Sequence, residues 1–240
     1  MHRLHLETSC YQDWQARLAD PEKQWKRKYS AFENAVLWES AGKKNRTSGL
    51  PDPVEKILVT SGLCDPILLF AVGEHKVDLP GGNRASQSDV WAIVKSKESL
   101  ISIAFEAKAN ETFDTKTLSE WKSQKSDSSI NNRQERWAYI EKHLPAAIST
   151  YENVYYQLLH RCASAVIEAK RIGCTHAAFI VLSFESPDKS FQQYASFCSA
   201  IGIPSGRDTI AKTKVGDVTL AVGWAECPFA SDEDIQHLEK

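Results

Sequence analysis

No segment of this chain approaches the roughly 18 consecutive apolar residues that a membrane-spanning helix needs, so no membrane partner is expected. The first residues, Met1 to Glu7, lack the apolar core of a signal peptide, and a cytoplasmic location is expected. An excess of one charge is missing too. Lys and Arg number 29 against 31 Asp and Glu, a net charge of −2. No overall field draws such a protein onto a polyanion, so any such site has to be a local patch. The six cysteines, Cys10, Cys64, Cys162, Cys174, Cys198 and Cys227, include no Cys-x-x-Cys pair, and no His stands at zinc-finger spacing from a paired set. Each sits in an apolar context, which predicts six reduced thiols in the core. Internal repeats and low-complexity segments are absent. What remains is a globular composition, 42% apolar and 25% charged over 240 residues, enough for one domain with a substantial core.

The most informative stretch is Ser88 to Lys108. Two arms rich in Val, Ile, Phe and Trp flank a short polar turn at 96–99, the pattern of an antiparallel hairpin. Side chains alternate along a strand. Ile101, Ile103, Phe105 and Ala107 therefore share one face with Val90, Ala92 and Val94. Ser102, Ala104, Glu106 and Lys108 share the other with Asp89, Trp91, Ile93 and Lys95. A two- or four-residue loop pairs positions that sum to 195, which sets Asp89 opposite Glu106. Opposed side chains have Cβ atoms roughly 4.5–5.5 Å apart, and like charges there repel. A cation between them, or a proton on one, relieves the clash. Lys108 lies about 7 Å further along the same face. A Glu-x-Lys triplet alone is commonly a solvated face; the opposed Asp and the apolar neighbours Trp91, Ile93 and Ala104 separate this one from that case.

Elsewhere the sequence predicts a helix within residues 1–20 that stops at Pro21, and a solvated basic loop of Lys23, Lys26, Arg27 and Lys28 around Trp25. A second helix is capped by Ser30 with Glu33. Lys43, Lys44, Arg46 and Ser48-Gly49 read as a loop. A helix over about 52–62 is capped by Asp52, and a strand follows at 66–72. The Gly81-Gly82 pair, next to Arg84, reads as a turn that would also permit close approach of a ligand backbone. Residues 111–150, polar and with one helical pattern around 132–143, look like an insertion. The clearest helix spans 152–172. Its apolar stripe is Val154, Leu158, Cys162, Ala165, Val166 and Ala169, and its polar stripe is Gln157, His160, Arg161 and Ser164. A strand at 177–184, reached by a right-handed crossover, precedes a helix around Phe191–Cys198, a loop at 206–215, a strand at 218–224 and an acidic tail that frays.

This order, helix, three strands, helix, strand, carries Asp89 on the second strand and Glu106-Ala107-Lys108 on the third. It resembles the PD-(D/E)XK nuclease superfamily over roughly residues 50–185. The resemblance implies an α/β fold: a restriction-endonuclease-like αβββαβ core with a central mixed sheet flanked by helices. Residues 1–49 would then be an N-terminal helical extension packed on the core, and 50–240 the domain with its insertion at about 111–150. The family pattern has Pro before the Asp, where this chain has Ser88.

The resemblance also implies a function: a Mg²⁺-dependent nuclease hydrolysing phosphodiester bonds of DNA, in a restriction or defence role. Asp89, Glu106 and the carbonyl of Ala107 would hold Mg²⁺, with Mn²⁺ able to substitute, because hard cations take oxygen ligands. Such an ion polarises the phosphodiester and acidifies a bound water. Lys108 would position that water and stabilise the developing charge. Glu55, or Glu39 on the preceding helix, would add an acid to the metal site. Gln157, His160, Arg161 and Arg84 would contact substrate, Arg161 as a bidentate fork on phosphate. RNA is the alternative substrate. Cutting both strands of a duplex takes two sites, which points to a homodimer. The low net charge and Ser88 motivate a different reading, a catalytically inactive nucleic-acid-binding module on the same fold. A third is a site for a small phosphorylated ligand.

Overall fold

A computed structural model describes residues 10–43, 47–97, 99–113, 115–124 and 127–239, with 127–129 as backbone only. At its centre lies the expected hairpin. Strands β2 (Ser86–Ser96) and β3 (Ser99–Ala109) pair antiparallel, with Ser96 opposite Ser99, Lys95 opposite Leu100 and Val90 opposite Phe105. Every one of these pairs keeps the sum of 195. Strand β1 (Ile67–Val77) flanks β2 antiparallel. On the far side β3 pairs parallel with β4 (His176–Phe184), which pairs parallel with β6 (Val218–Cys227), and β5 (Thr209–Val215) closes that edge antiparallel. The result is one six-stranded mixed sheet in the order β1-β2-β3-β4-β6-β5.

Numbering the helices in chain order, α1 is Pro21–Gln24, α2 Ser30–Lys43, α3 Asp52–Thr60, α4 Leu118–Lys122, α5 Asp127–Glu141, α6 Tyr156–Arg171, α7 Asp188–Ala200 and α8 Asp232–Leu238. The run α3, β1, β2, β3, α6, β4 is the αβββαβ order expected from the sequence. The chain is an α/β protein whose sheet is covered on both faces. Alternation along β3 builds the two cores. Ile101, Ile103, Phe105 and Ala107 pack with Val36, Trp38, Val54 and Ile57 of α2 and α3. Ala104 faces the other way, toward a core made with Leu158, Cys162 and Val166 of α6 and Phe197 of α7. Apolar area removed from water at both faces, about 25 cal/mol per Å², is the main stabilising term.

Several expectations need correction. In the described part of 1–20 the chain forms a 3-10 helix, Tyr11–Arg17, and residues 1–9 lie outside the described residues. Pro21 opens α1 rather than ending a helix, with the Asp20 side chain accepting from Lys23 N–H. Glu33 does not complete a capping box. It accepts N–H bonds from Lys28 at 2.6 Å and Ala230 at 2.7 Å, tying the N-terminal turn to the C-terminal segment. The expected loop at Lys43–Gly49 is helical at Lys43, and Lys44 and Arg46 lie outside the described residues. The turn residue Glu98 lies outside them too. Residues 111–150 are built into the core, since Phe113, Leu118, Trp137 and Ile140 are buried there. The stretch 206–215 is strand β5, and the acidic tail is helix α8, whose Leu238 is buried. Cys64 is exposed and Cys10 half-buried, while the other four cysteines are buried; all six are free thiols.

Candidate active site

Register brings three acids into one row. The β2–β3 ladder runs to Val90 opposite Phe105. One step further, Asp89 comes opposite Glu106. The β1–β2 ladder pairs Gly73 with Val90 and His75 with Ser88, so Glu74 between them comes opposite Asp89. Glu74 does not keep strand geometry. Its φ of 54° lies in the left-handed region, which costs a non-glycine residue about 1–3 kcal/mol. Its carboxylate accepts a hydrogen bond from the Gln87 side-chain amide.

Each acid is held differently. Asp89 Oδ2 accepts the main-chain N–H of Ala107 at 2.6 Å, crossing to β3 where the ladder ends. Glu106 is almost fully buried. Its Oε1 accepts from Lys108 Nζ at 3.0 Å and from Gln157 Nε2 at 2.7 Å. Its Oε2 lies 2.7 Å from Arg161 Nε, an ion contact without the alignment of a hydrogen bond. Gln157 and Arg161, four apart on α6, share the helix face turned to the sheet. Lys108 Nζ also lies 5.2 Å from the centre of the Phe113 ring. A cleft of about 350 Å³ opens over these groups. Its floor is Glu74, Gln87, Asp89 and Glu106–Lys108. Gln157 and Arg161 of α6 and Leu18, Tyr29 and Ser30 of the N-terminal segment line it as well.

The electrostatics follow from burial and neighbours. Burial, with the negative charges of Glu106 and Glu74, holds the Asp89 carboxyl well above the ordinary range. Burial also raises Glu74, and Glu106 adds to the shift against the Gln87 hydrogen bond. Glu106 goes the other way: burial alone would raise it, but Arg161 and Lys108 outweigh that and lower it. Burial opposes the charge on Lys108, yet Glu106, Glu111 and Asp89 hold its ammonium above its ordinary value.

Of the residues singled out in the sequence, Asp89, Glu106, Ala107, Lys108, Gln157 and Arg161 meet in this cleft. His160 turns away from it. Its Nδ1 shares a hydrogen bond of 2.8 Å with Ser86 Oγ, and burial, then Arg161, Arg136 and Lys108, keeps the ring well below its ordinary value and neutral. Arg84 is exposed before β2 and does not line the cleft. The two acids assigned to a helix are not in the cleft either. Glu55 accepts from Ser48 Oγ at 2.9 Å, and Glu39 from Trp14 Nε1 at 2.9 Å; α2 and α3 pack on the opposite face of β3. The third acid is instead Glu74, on β1. Trp91 also lies outside the cleft, stacked on His75 with its N–H on Ser102. Gly81 does accept a close backbone, but it is the carbonyl of Asn132 on α5 rather than a ligand, and a Cβ there would stand 1.9 Å from that oxygen.

The donor set suits a hard divalent ion: two or three carboxylates and a main-chain carbonyl, all oxygen. The raised Asp89 marks a surplus of negative charge that such an ion relieves. Among the described residues no three His, Cys, Asp or Glu side chains already stand at metal-binding distances. Glu106 would therefore have to trade a contact with Arg161 or Lys108 for the ion.

With this geometry in hand, the comparison with known families gives one match. Residues 7–228 match the family described as domain of unknown function, DUF6946. The chain belongs to the DUF6946 family. The match spans the whole cleft, from Leu18 to Arg161, and all six strands, and leaves α8 outside. No curated protein and no solved structure matches the chain.

Proposed function

We propose that this protein is a Mg²⁺-dependent nuclease that hydrolyses phosphodiester bonds of DNA, as a member of the PD-(D/E)XK superfamily. The observation that carries the reading is the row Glu74, Asp89, Glu106 with Lys108 and the Ala107 carbonyl beside it, at the floor of an open cleft. Asp89, Glu106 and the Ala107 carbonyl would hold the ion, with Glu74 next to Asp89 in register and lining the same cleft. When bound, such an ion supplies charge neutralisation at the phosphate and a water acidic enough to attack it. The chain's own groups do the rest. Lys108, kept protonated by Glu106, Glu111 and Asp89, places a fixed positive charge where negative charge develops on the phosphate oxygens. Arg161 offers a guanidinium fork to a phosphate once the ion has taken its place on Glu106. Gln157 orients Glu106 through the 2.7 Å bond.

A specific observation favours a second reading. Glu106 is already engaged by hydrogen bonds from Lys108 and Gln157 and by the Arg161 ion contact, as suits a catalytically inactive nucleic-acid-binding module. Plasmid and single-stranded substrates, incubated with pure protein and Mg²⁺ or Mn²⁺, separate the two. The nuclease reading expects cleavage that EDTA, Asp89→Asn and Lys108→Met each abolish. Cleavage that survives Asp89→Asn, or no cleavage of any DNA or RNA, contradicts it. Retention of DNA without cleavage supports the module.

A further inference from the structure

We propose that the cleft takes single-stranded nucleic acid, with one base stacked on Tyr29 and its backbone held by Lys26. The proposal rests on the nuclease reading only for what happens after binding. Tyr29 lines the cleft together with Gln157 and Arg161 of α6, and the residue is 48% exposed. Large aromatic rings are costly to leave in water; of the other large aromatics of this segment, Trp14 is buried, and Tyr11, Trp25 and Phe32 are packed on one another at 5.3–6.3 Å. Tyr29 is held out by its backbone. Lys28 sits at φ 66°, a turn that a non-glycine residue seldom makes. Its carbonyl accepts from Asn110 Nδ2 at 3.0 Å, and the Ser30 hydroxyl donates to Glu111. The segment is thereby fastened two and three residues beyond Lys108, and Tyr29 is presented at the mouth of the same cleft.

Charge agrees with this placement. The floor of the cleft carries acids, which repel a polyanion but suit a cation. Next to Tyr29 in the chain, Lys26, Arg27 and Lys28 are exposed, and Lys26 Nζ lies 5.9 Å from the centre of the Tyr29 ring. Arg27 is taken by Asp232 and the Ala230 carbonyl, and Lys28 Nζ lies 5.8 Å from the centre of the Phe229 ring, which leaves Lys26 for phosphate. A basic rim with an aromatic platform is how proteins hold single strands, because every base has a face to stack while a duplex hides its faces. Leu18 and Tyr29 line the cleft of about 350 Å³ together with Gln157 and Arg161.

The test is binding of a fluorescent 12-mer, as single-stranded DNA, single-stranded RNA and duplex, to the full chain carrying Asp89→Asn, by anisotropy. Cleavage plays no part in the readout, so failure of the nuclease reading leaves it intact. Single strands are expected to bind more tightly than duplex. Adding Tyr29→Ala is expected to weaken them about tenfold, while Tyr29→Phe retains affinity. Lys26→Gln should reduce the slope of log affinity against log salt by about 0.7. Equal affinity for duplex and single strand, or a Tyr29→Ala variant that binds as tightly as its parent, overturns the proposal. Should Tyr29→Ala not fold, a photo-cross-linking oligonucleotide decides: an adduct on Tyr29 supports the stack, and adducts only elsewhere overturn it.

Discussion

The Asp89 carboxylate takes the main-chain N–H of Ala107 at 2.6 Å, so the acid on one strand grips the residue between Glu106 and Lys108 on the next. This bond fixes Asp89 beside Glu106 even though their charges repel. The site is held together by its backbone against its own electrostatics, a common way for stability to be traded for function.

Asp89→Asn follows from that conflict. The amide keeps an oxygen for the Ala107 N–H and removes a charge that burial, Glu106 and Glu74 all oppose. Without divalent ions this variant is expected to melt higher than the wild type. Added Mn²⁺ should raise the wild-type melting temperature and leave the variant unmoved. Differential scanning calorimetry with and without the ion checks both.

Glu106→Ala is expected to behave in the opposite way. It strands Lys108 and Arg161, two buried or half-buried cations, without their shared partner. Removing one member of a buried ion cluster typically costs about 3–5 kcal/mol. Urea unfolding should show a loss on that scale, and Glu106→Gln a smaller one.

His160 sets an acid limit on stability. Burial, then Arg161, Arg136 and Lys108, depress its folded pKa well below the ordinary value. The unfolded chain therefore takes up a proton at about pH 6.5 that the folded chain refuses. Stability from this source is complete above that pH and falls as the pH drops below it. A melting series from pH 7.5 to 5.0 should decline in the wild type and decline less in His160→Gln.

Gly81→Ala tests the docking of α5. A methyl there meets the Asn132 carbonyl at 1.9 Å, and the φ of 72° adds backbone strain. A loss of about 1–3 kcal/mol is expected from chemical unfolding.

Much of this site was legible in the sequence because a hairpin with a short loop fixes its own register. That put Asp89 against Glu106, and helical spacing put Gln157 and Arg161 on one face. Glu74 was hidden. The long irregular connection at 78–85 separates it from Asp89, so no local pattern sets their pairing. Glu55 and Glu39 had the right charge on the wrong side of the sheet, which only the three-dimensional packing decides. Strand β5 read as a loop because Lys212 and Lys214 alternate along it. Charged residues of that kind protect an exposed edge, and edges are where strand propensity is weakest.

The central claim is that the row of acids takes a divalent ion through Asp89. Counting free Mn²⁺ by electron paramagnetic resonance, during titration into the wild type and into Asp89→Asn, tests it most directly. At least one bound ion per wild-type chain is expected, displaced by Mg²⁺ and lost from Asp89→Asn. Identical titrations of the two proteins would contradict it.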